Sequence, residues 1–169
     1  MTGIASSRLQ ALTTERGHQA LAQIRLVATD VDGTLTNQGE FDDSLLAILE
    51  KLRSAELPVL ITSGRAAGVV SGLLHYLPVG VAIAENGGLY FTKSNRHPTF
   101  LQPIASNHRQ LLLQQFERLC QRYPQLVESS DNAFRLTDWT FDVAGLSLEA
   151  LQWMTANCHD HGWGFTYST

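Results

Sequence analysis

Three short apolar runs, each cut off by a polar, glycine-containing turn, constrain this chain more than any other feature. Arg25-Leu26-Val27-Ala28-Thr29-Asp30 runs into Asp30-Val31-Asp32-Gly33-Thr34, Pro58-Val59-Leu60-Ile61-Thr62 into Ser63-Gly64-Arg65, and the run from Val79 to Ala84 into Glu85-Asn86-Gly87-Gly88. Runs of this length bounded by turn residues suit buried parallel strands. Between them the period changes to that of a helix. Asp43 or Ser44 caps a segment with Leu45, Leu46, Ile48, Leu49 and Leu52 on its apolar face, and Pro58 bars its continuation. Ala66 to Leu77 repeats the pattern through Val69, Val70, Leu73 and Leu74 until Pro78. A strand, helix, strand, helix, strand alternation predicts an α/β fold with an open parallel sheet and right-handed crossovers. Such sheets bind ligands at the carboxyl ends of their strands, where all three polar clusters fall.

The remainder is different in character. Leu89 to Thr92 reads as a strand turning out of the sheet, and Ser94 to Ser106, with two prolines, as loop. Ser106 or Asn107 opens a helix to about Arg122, Phe134 to Val143 is an expected strand, Ser147 caps a helix to about His159, and Trp163 to Ser168 alternates as a last strand. An N-terminal surface helix is expected over Ser7 to Gln23. The expected organisation is an extension over 1–24, a Rossmann-like core over 25–91 and a second α/β unit over 92–169.

Composition narrows the function classes. A net charge of −4, with Lys51 and Lys93 the only lysines, argues against nucleic-acid binding. No stretch approaches the ~20 apolar residues of a membrane span. Cys120 and Cys158 stand far apart with no CxxC pattern, as expected of a reduced, cytoplasmic setting without a disulfide framework or zinc site. His159-Asp160-His161 lacks a third ligand at useful spacing and reads as a solvated helix terminus. Trp139, Trp153 and Trp163 read as packing residues.

Asp30 and Asp32, at i and i+2 on an extended segment, point the same way and repel each other unless a cation lies between them. Magnesium, which uses one or two carboxylates and keeps positions for water and phosphate, is the natural partner. One aspartate can attack phosphorus while the other moves the proton. Gly33 lets the backbone approach phosphoryl oxygens, although a plain Asp-x-Asp-Gly turn explains the same residues. Ser63, Gly64 and Arg65 at a helix start suit a phosphate oxygen. Thr62 competes with Ser63 for that role but falls on the other face by alternation. Glu85 and Asn86 are explained equally by the site and by a tight turn.

Asp30-Val31-Asp32-Gly33-Thr34-Leu35 and Val59-Leu60-Ile61-Thr62-Ser63-Gly64-Arg65 resemble the first two motifs of the haloacid dehalogenase-like (HAD) phosphohydrolases. Ala84-Glu85-Asn86-Gly87-Gly88 resembles their Cof-type, subfamily IIB branch, in which a large α/β cap follows strand three, and Arg135-Leu136-Thr137-Asp138 looks like a recurring piece of such caps. The resemblance implies Asp30 as nucleophile and magnesium ligand, and Asp32 as general acid/base whose carbonyl also binds the metal. Ser63 is then the phosphoryl-holding group, with Gly33, Gly64 and Arg65 around it. It implies a magnesium-dependent phosphatase acting on a small phosphorylated metabolite such as a sugar phosphate. A phosphomutase, or an inactive remnant that binds phosphorylated ligands or a partner chain, is the alternative.

The family also uses a later lysine and an acidic pair after Gly-Asp, and neither is visible here. Lys93 comes too early. Asp138 and Asp142 share the spacing of some such pairs, and Arg135 lies nearby, but a role as cap residues facing solvent or substrate is preferred. The family places strand one mid-sheet. The expectation is therefore an N-terminal part of a protein roughly 80–100 residues longer, judged by the elements still owed, or a chain whose core a partner completes.

Overall fold

The computed structural model describes residues 14–95 and 97–167. Its centre is a five-stranded sheet in sequential order, β1 (Val27–Asp30), β2 (Val59–Thr62), β3 (Val81–Ala84), β4 (Leu89–Thr92) and β5 (Thr99–Phe100). β1, β2 and β3 are parallel, β4 pairs antiparallel with β3, and β5 antiparallel with β4. The segment expected to leave the sheet at Leu89 instead turns back beside β3. The turn is made by consecutive left-handed residues, with φ of 51° at Glu85, 54° at Asn86 and 94° at Gly87.

Helices α2 (Asp43–Ser54) and α3 (Ala67–Tyr76) form the crossovers after α1 (Glu15–Leu21). The expected N-terminal helix is described only from Glu15; its Ser7 to Thr13 portion lies outside the described residues. Asp42, one residue before the expected cap, accepts from Leu45 N at 2.9 Å and from Ser44 Oγ at 2.7 Å. Ile61, Val70, Ala82, Ala84 and Leu89 are completely excluded from solvent, forming the centre of the main core. β1 fares differently. It lies at the edge of the sheet, with the flank bare on which the resemblance placed a further strand; its residues alternate between half-buried and exposed, and Leu26 just before it is 48% exposed.

Beyond the sheet, α4 (His108–Arg122) and α5 (Leu148–Asp160) pack through Leu119, Leu126, Met154 and Cys158, with Phe116, Tyr123, Trp153 and Trp163 around them. Ser147 caps α5 through Ala150 N. The two strands expected here do not form. Of 134–143, Phe141 alone makes a β-bridge, to Glu128, and the described part of the last segment, Trp163 to Tyr167, has no strand pairing. The reason is local. In the first, Ser129 N donates to Thr140 O across the single bridge, but the Thr140 amide, which a continuing ladder would use, donates to Asn132 Oδ1 at 2.9 Å, and the Asn132 side chain also donates to Thr140 O at 2.8 Å.

Candidate active site

Asp30 ends β1, exposed, and its carboxylate makes no hydrogen bond among the described residues. The chain then folds over the buried Val31, whose carbonyl accepts from the amides of Thr34, Leu35 and Thr36. Gly33 takes φ 75° in this loop and donates its amide to Thr36 Oγ1 at 3.0 Å, so the positive φ is what demands glycine.

Asp32, two residues on, faces the end of β2. Arg65 grips it with both arms of its guanidinium, Nε to Oδ2 at 2.9 Å and Nη2 to Oδ1 at 2.8 Å. The hydrogen bonds to Arg65 hold the Asp32 carboxyl below its ordinary value, and partial burial only opposes this. Ser63 is buried, and its Oγ accepts from Arg65 N at 3.1 Å, which leaves the hydroxyl proton free to donate. Thr62 is exposed and in register with Asp30. Gly64 sits so close to Asn86 that a Cβ would lie 2.9 Å from its Oδ1.

The structure also brings in residues that the sequence alone turned toward solvent or substrate. Arg135 is almost wholly buried. It donates to Gly64 O at 3.0 Å, to Asp138 Oδ1 at 2.8 Å and, through Nε and Nη2, to the Asp131 carboxylate at 3.2 and 2.9 Å. Arg135 holds Asp131 below the ordinary carboxylate value, whereas burial outweighs Arg135 at Asp138 and pushes that carboxyl up. Leu136 packs on the main core, and the amides of Leu136 and Thr137 meet the buried Glu85 carboxylate. This strap, residues 134–138, the neighbouring Ser129 and Asp131, and the loops after β1 and β2 border an open cleft of about 450 Å³ lined by Asp32, Arg65, Ser129, Asp131 and Arg135. The signals of the strap in the sequence were its likeness to a cap fragment and the Asp138 and Asp142 spacing beside Arg135; nothing in it marked Asp131 or the anchoring role of Glu85.

Lys93 is elsewhere. Because β4 runs antiparallel to β3, Lys93 lies beyond the amino end of β3 and donates to Leu77 O at 2.8 Å, away from the carboxyl ends of β1 and β2.

No cluster of three or more His, Cys, Asp or Glu suited to a metal occurs among the described residues. Magnesium asks for less, one or two carboxylates with water and phosphate completing its shell. The free Asp30 carboxylate and the Asp32 carbonyl fit that partial donor set; the Asp32 carboxylate, spent on Arg65, does not.

The family described as haloacid dehalogenase-like hydrolase matches residues 27–144, from the first residue of β1 through the strap. The chain belongs to that family. A phosphoglycolate phosphatase of Metallosphaera sedula is 31% identical over 134 residues, 77% of this chain and 56% of that protein. One of Saccharolobus solfataricus is 28% identical over 77% of this chain and 54% of its own length. The chain thus spans about half the length of these relatives. A Thermoplasma acidophilum crystal structure superposes with a TM-score of 0.68 at 23% identity, covering 86% of this chain and 61% of that one. The C-terminal domain of Candida albicans trehalose-6-phosphate phosphatase gives 0.60 at 20% identity, covering 82% of this chain and 49% of that one. These likenesses concern the fold.

Proposed function

We propose that this member of the haloacid dehalogenase-like hydrolases is a phosphomonoester hydrolase with Asp30 as nucleophile. The observation that carries the reading is the contrast between its two aspartates: Asp30 is exposed and unpartnered among the described residues, and Asp32 is held by Arg65 from the adjoining loop. An Asp30 oxygen attacks phosphorus, the P–O ester bond breaks, and the leaving oxygen takes a proton from Asp32. Asp32 then removes a proton from water, whose oxygen attacks the aspartyl-phosphate, releasing phosphate and restoring Asp30. Arg65 must let go of Asp32 for it to carry a proton, because the pair favours the ionised form. Ser63 and the backbone around Gly64 hold phosphoryl oxygens, and the cleft beside Arg65 receives the leaving group. Asp30 and the Asp32 carbonyl would hold a magnesium ion, which would supply the positive charge that a carboxylate needs to approach a phosphate dianion.

The substrate is a small phosphorylated metabolite. The motifs point to a sugar phosphate and the relatives to phosphoglycolate, and the ratio of kcat/KM for the two decides. Asp30→Asn is expected to lower magnesium-dependent phosphate release by more than about 1,000-fold; retained activity overturns the assignment.

The exposed edge of β1 favours a second reading, in which the chain binds phosphate esters and turns them over only when a further strand covers that edge and brings a cation beside Asp30. Size-exclusion chromatography with and without candidate partners, with hydrolysis assayed in each fraction, separates the two.

A further inference from the structure

Glu85 is 3% exposed, and its backbone takes the left-handed conformation without being glycine or asparagine. Such a placement needs a reason, and its hydrogen bonds supply one. Oε1 accepts from Ala67 N, at the first turn of α3, at 2.8 Å and from Leu136 N at 2.9 Å. Oε2 accepts from Leu136 N at 3.0 Å, from Thr137 Oγ1 at 2.6 Å and from Thr137 N. The Glu85 amide in turn donates to Arg65 O at 3.2 Å. One residue therefore joins the strap to the phosphate loop, its carboxylate holding the strap and the start of α3 and its backbone amide holding Arg65 O. The surroundings are shaped for the same contact: a Cβ on Gly88 would lie 2.0 Å from Thr137 Oγ1, and one on Gly68 3.1 Å from Phe134 Cβ.

A buried carboxylate is tolerable only while its donors are present. With the strap lifted away, Glu85 would keep Ala67 N and lose Leu136 and Thr137. It would then swing into water and release the start of α3. The reverse also holds, since disorder around Ala67 removes the group that keeps Glu85 aimed at the strap.

We infer that Glu85 is a positioning residue that couples docking of the 134–138 strap to the order of the phosphate loop, so that a phosphate over Ser63–Arg65 and a docked strap stabilise each other. The coupling to phosphate rests on the proposed function; the structural link between loop and strap does not.

Amide hydrogen exchange along the whole chain, with and without inorganic phosphate, tests both parts. Glu85→Gln keeps the shape but sets an NH2 against donors that need an acceptor. It is expected to speed exchange in both 63–68 and 134–138 by about tenfold or more, with little change at β2 and α5. Thr137→Val, which removes one donor and keeps the volume, should raise the same two segments by less, and it decides the matter if the first variant does not fold. Faster exchange in only one of the two segments, or a uniform rise along the chain, overturns the link. Added phosphate should slow both segments in the unaltered protein but only 63–68 in Glu85→Gln. Protection of 63–68 alone in the unaltered protein overturns the coupling. Protection of neither overturns the phosphate site and the coupling with it, while the phosphate-free comparison still decides the link between loop and strap.

Discussion

The sheet region over 27–92 and the helical region over 108–165 are held together in different ways. In the first, backbone ladders fix the strands, and small aliphatic side chains such as Ile61, Ala82 and Ala84 fill the space between sheet and helices to complete burial. In the second, a small cluster of Leu119, Leu126, Met154 and Cys158 is ringed largely by half-buried aromatics, and side chains bind the backbone where a ladder would otherwise do so. Arg109 shows the pattern, donating to Asp138 O and Asn132 O at 2.7 Å each while stacking 4.4 Å above the Trp139 ring. A ladder depends on the pattern of a whole strand and survives the loss of one residue. A backbone held by single side chains depends on each of them.

The sharpest way to break this comparison is to open a cavity in each region. Ile61→Ala is expected to cost about 4 kcal/mol and to lower the stability of the entire chain. Met154→Ala should cost about 3 kcal/mol but accelerate exchange mainly within 108–165. Chemical denaturation followed by amide exchange distinguishes the two, and equal spreading of both effects would show the regions to be one cooperative unit.

Arg135→Met tests the junction. It leaves two partly buried carboxylates and the Gly64 carbonyl without their donor, at an expected cost of about 3 kcal/mol by thermal melting. Loss confined to the helical region would show that the main core does not depend on the strap.

The smallest effect belongs to the exposed pair. Arg65→Gln should cost well under 1 kcal/mol at neutral pH, because Arg65 and Asp32 are 56% and 45% exposed and water screens them, roughly as for any surface pair. The folded-state value of Asp32 is depressed, so its contribution is present above the unfolded value of ~3.9 and disappears as pH falls through the lowered one. The stability difference between this variant and the unaltered protein should therefore vanish in acid. Asp131 follows the same sign and Asp138 the opposite one, since burial raises it and its charged form weakens the fold above that raised value. A difference that grows in acid would mean that Arg65 stabilises the chain through some other contact.

The two regions also differ in how far they could be read from residues alone. The three parallel strands, both crossover helices and the loops carrying Asp30, Asp32, Ser63 and Arg65 were legible because period and turn chemistry are local properties. Helices α4 and α5 were legible in the same way, from their spacing and the Ser147 cap. The strand expected over 134–143 was not to be had from its pattern, because Asn132, eight residues away, claims the Thr140 amide and the pairing stops at one bridge. Nor could the return of Leu89 into the sheet be read, since the direction of a chain after a left-handed Glu85-Asn86-Gly87 turn is not written in the hydrophobicity of Leu89 to Thr92.

By itself, then, the sequence determined the family, the order of the first elements and the pair of aspartates at a strand end, all consequences of short-range pattern. Tertiary structure alone decided that Arg65 would seize Asp32, that Arg135 would be buried against Gly64, and that Glu85 would face a strap 51 residues further along the chain. Those are long-range pairings of charged groups. A buried charge must find partners wherever the packed chain provides them, and no local rule states in advance which ones will be near.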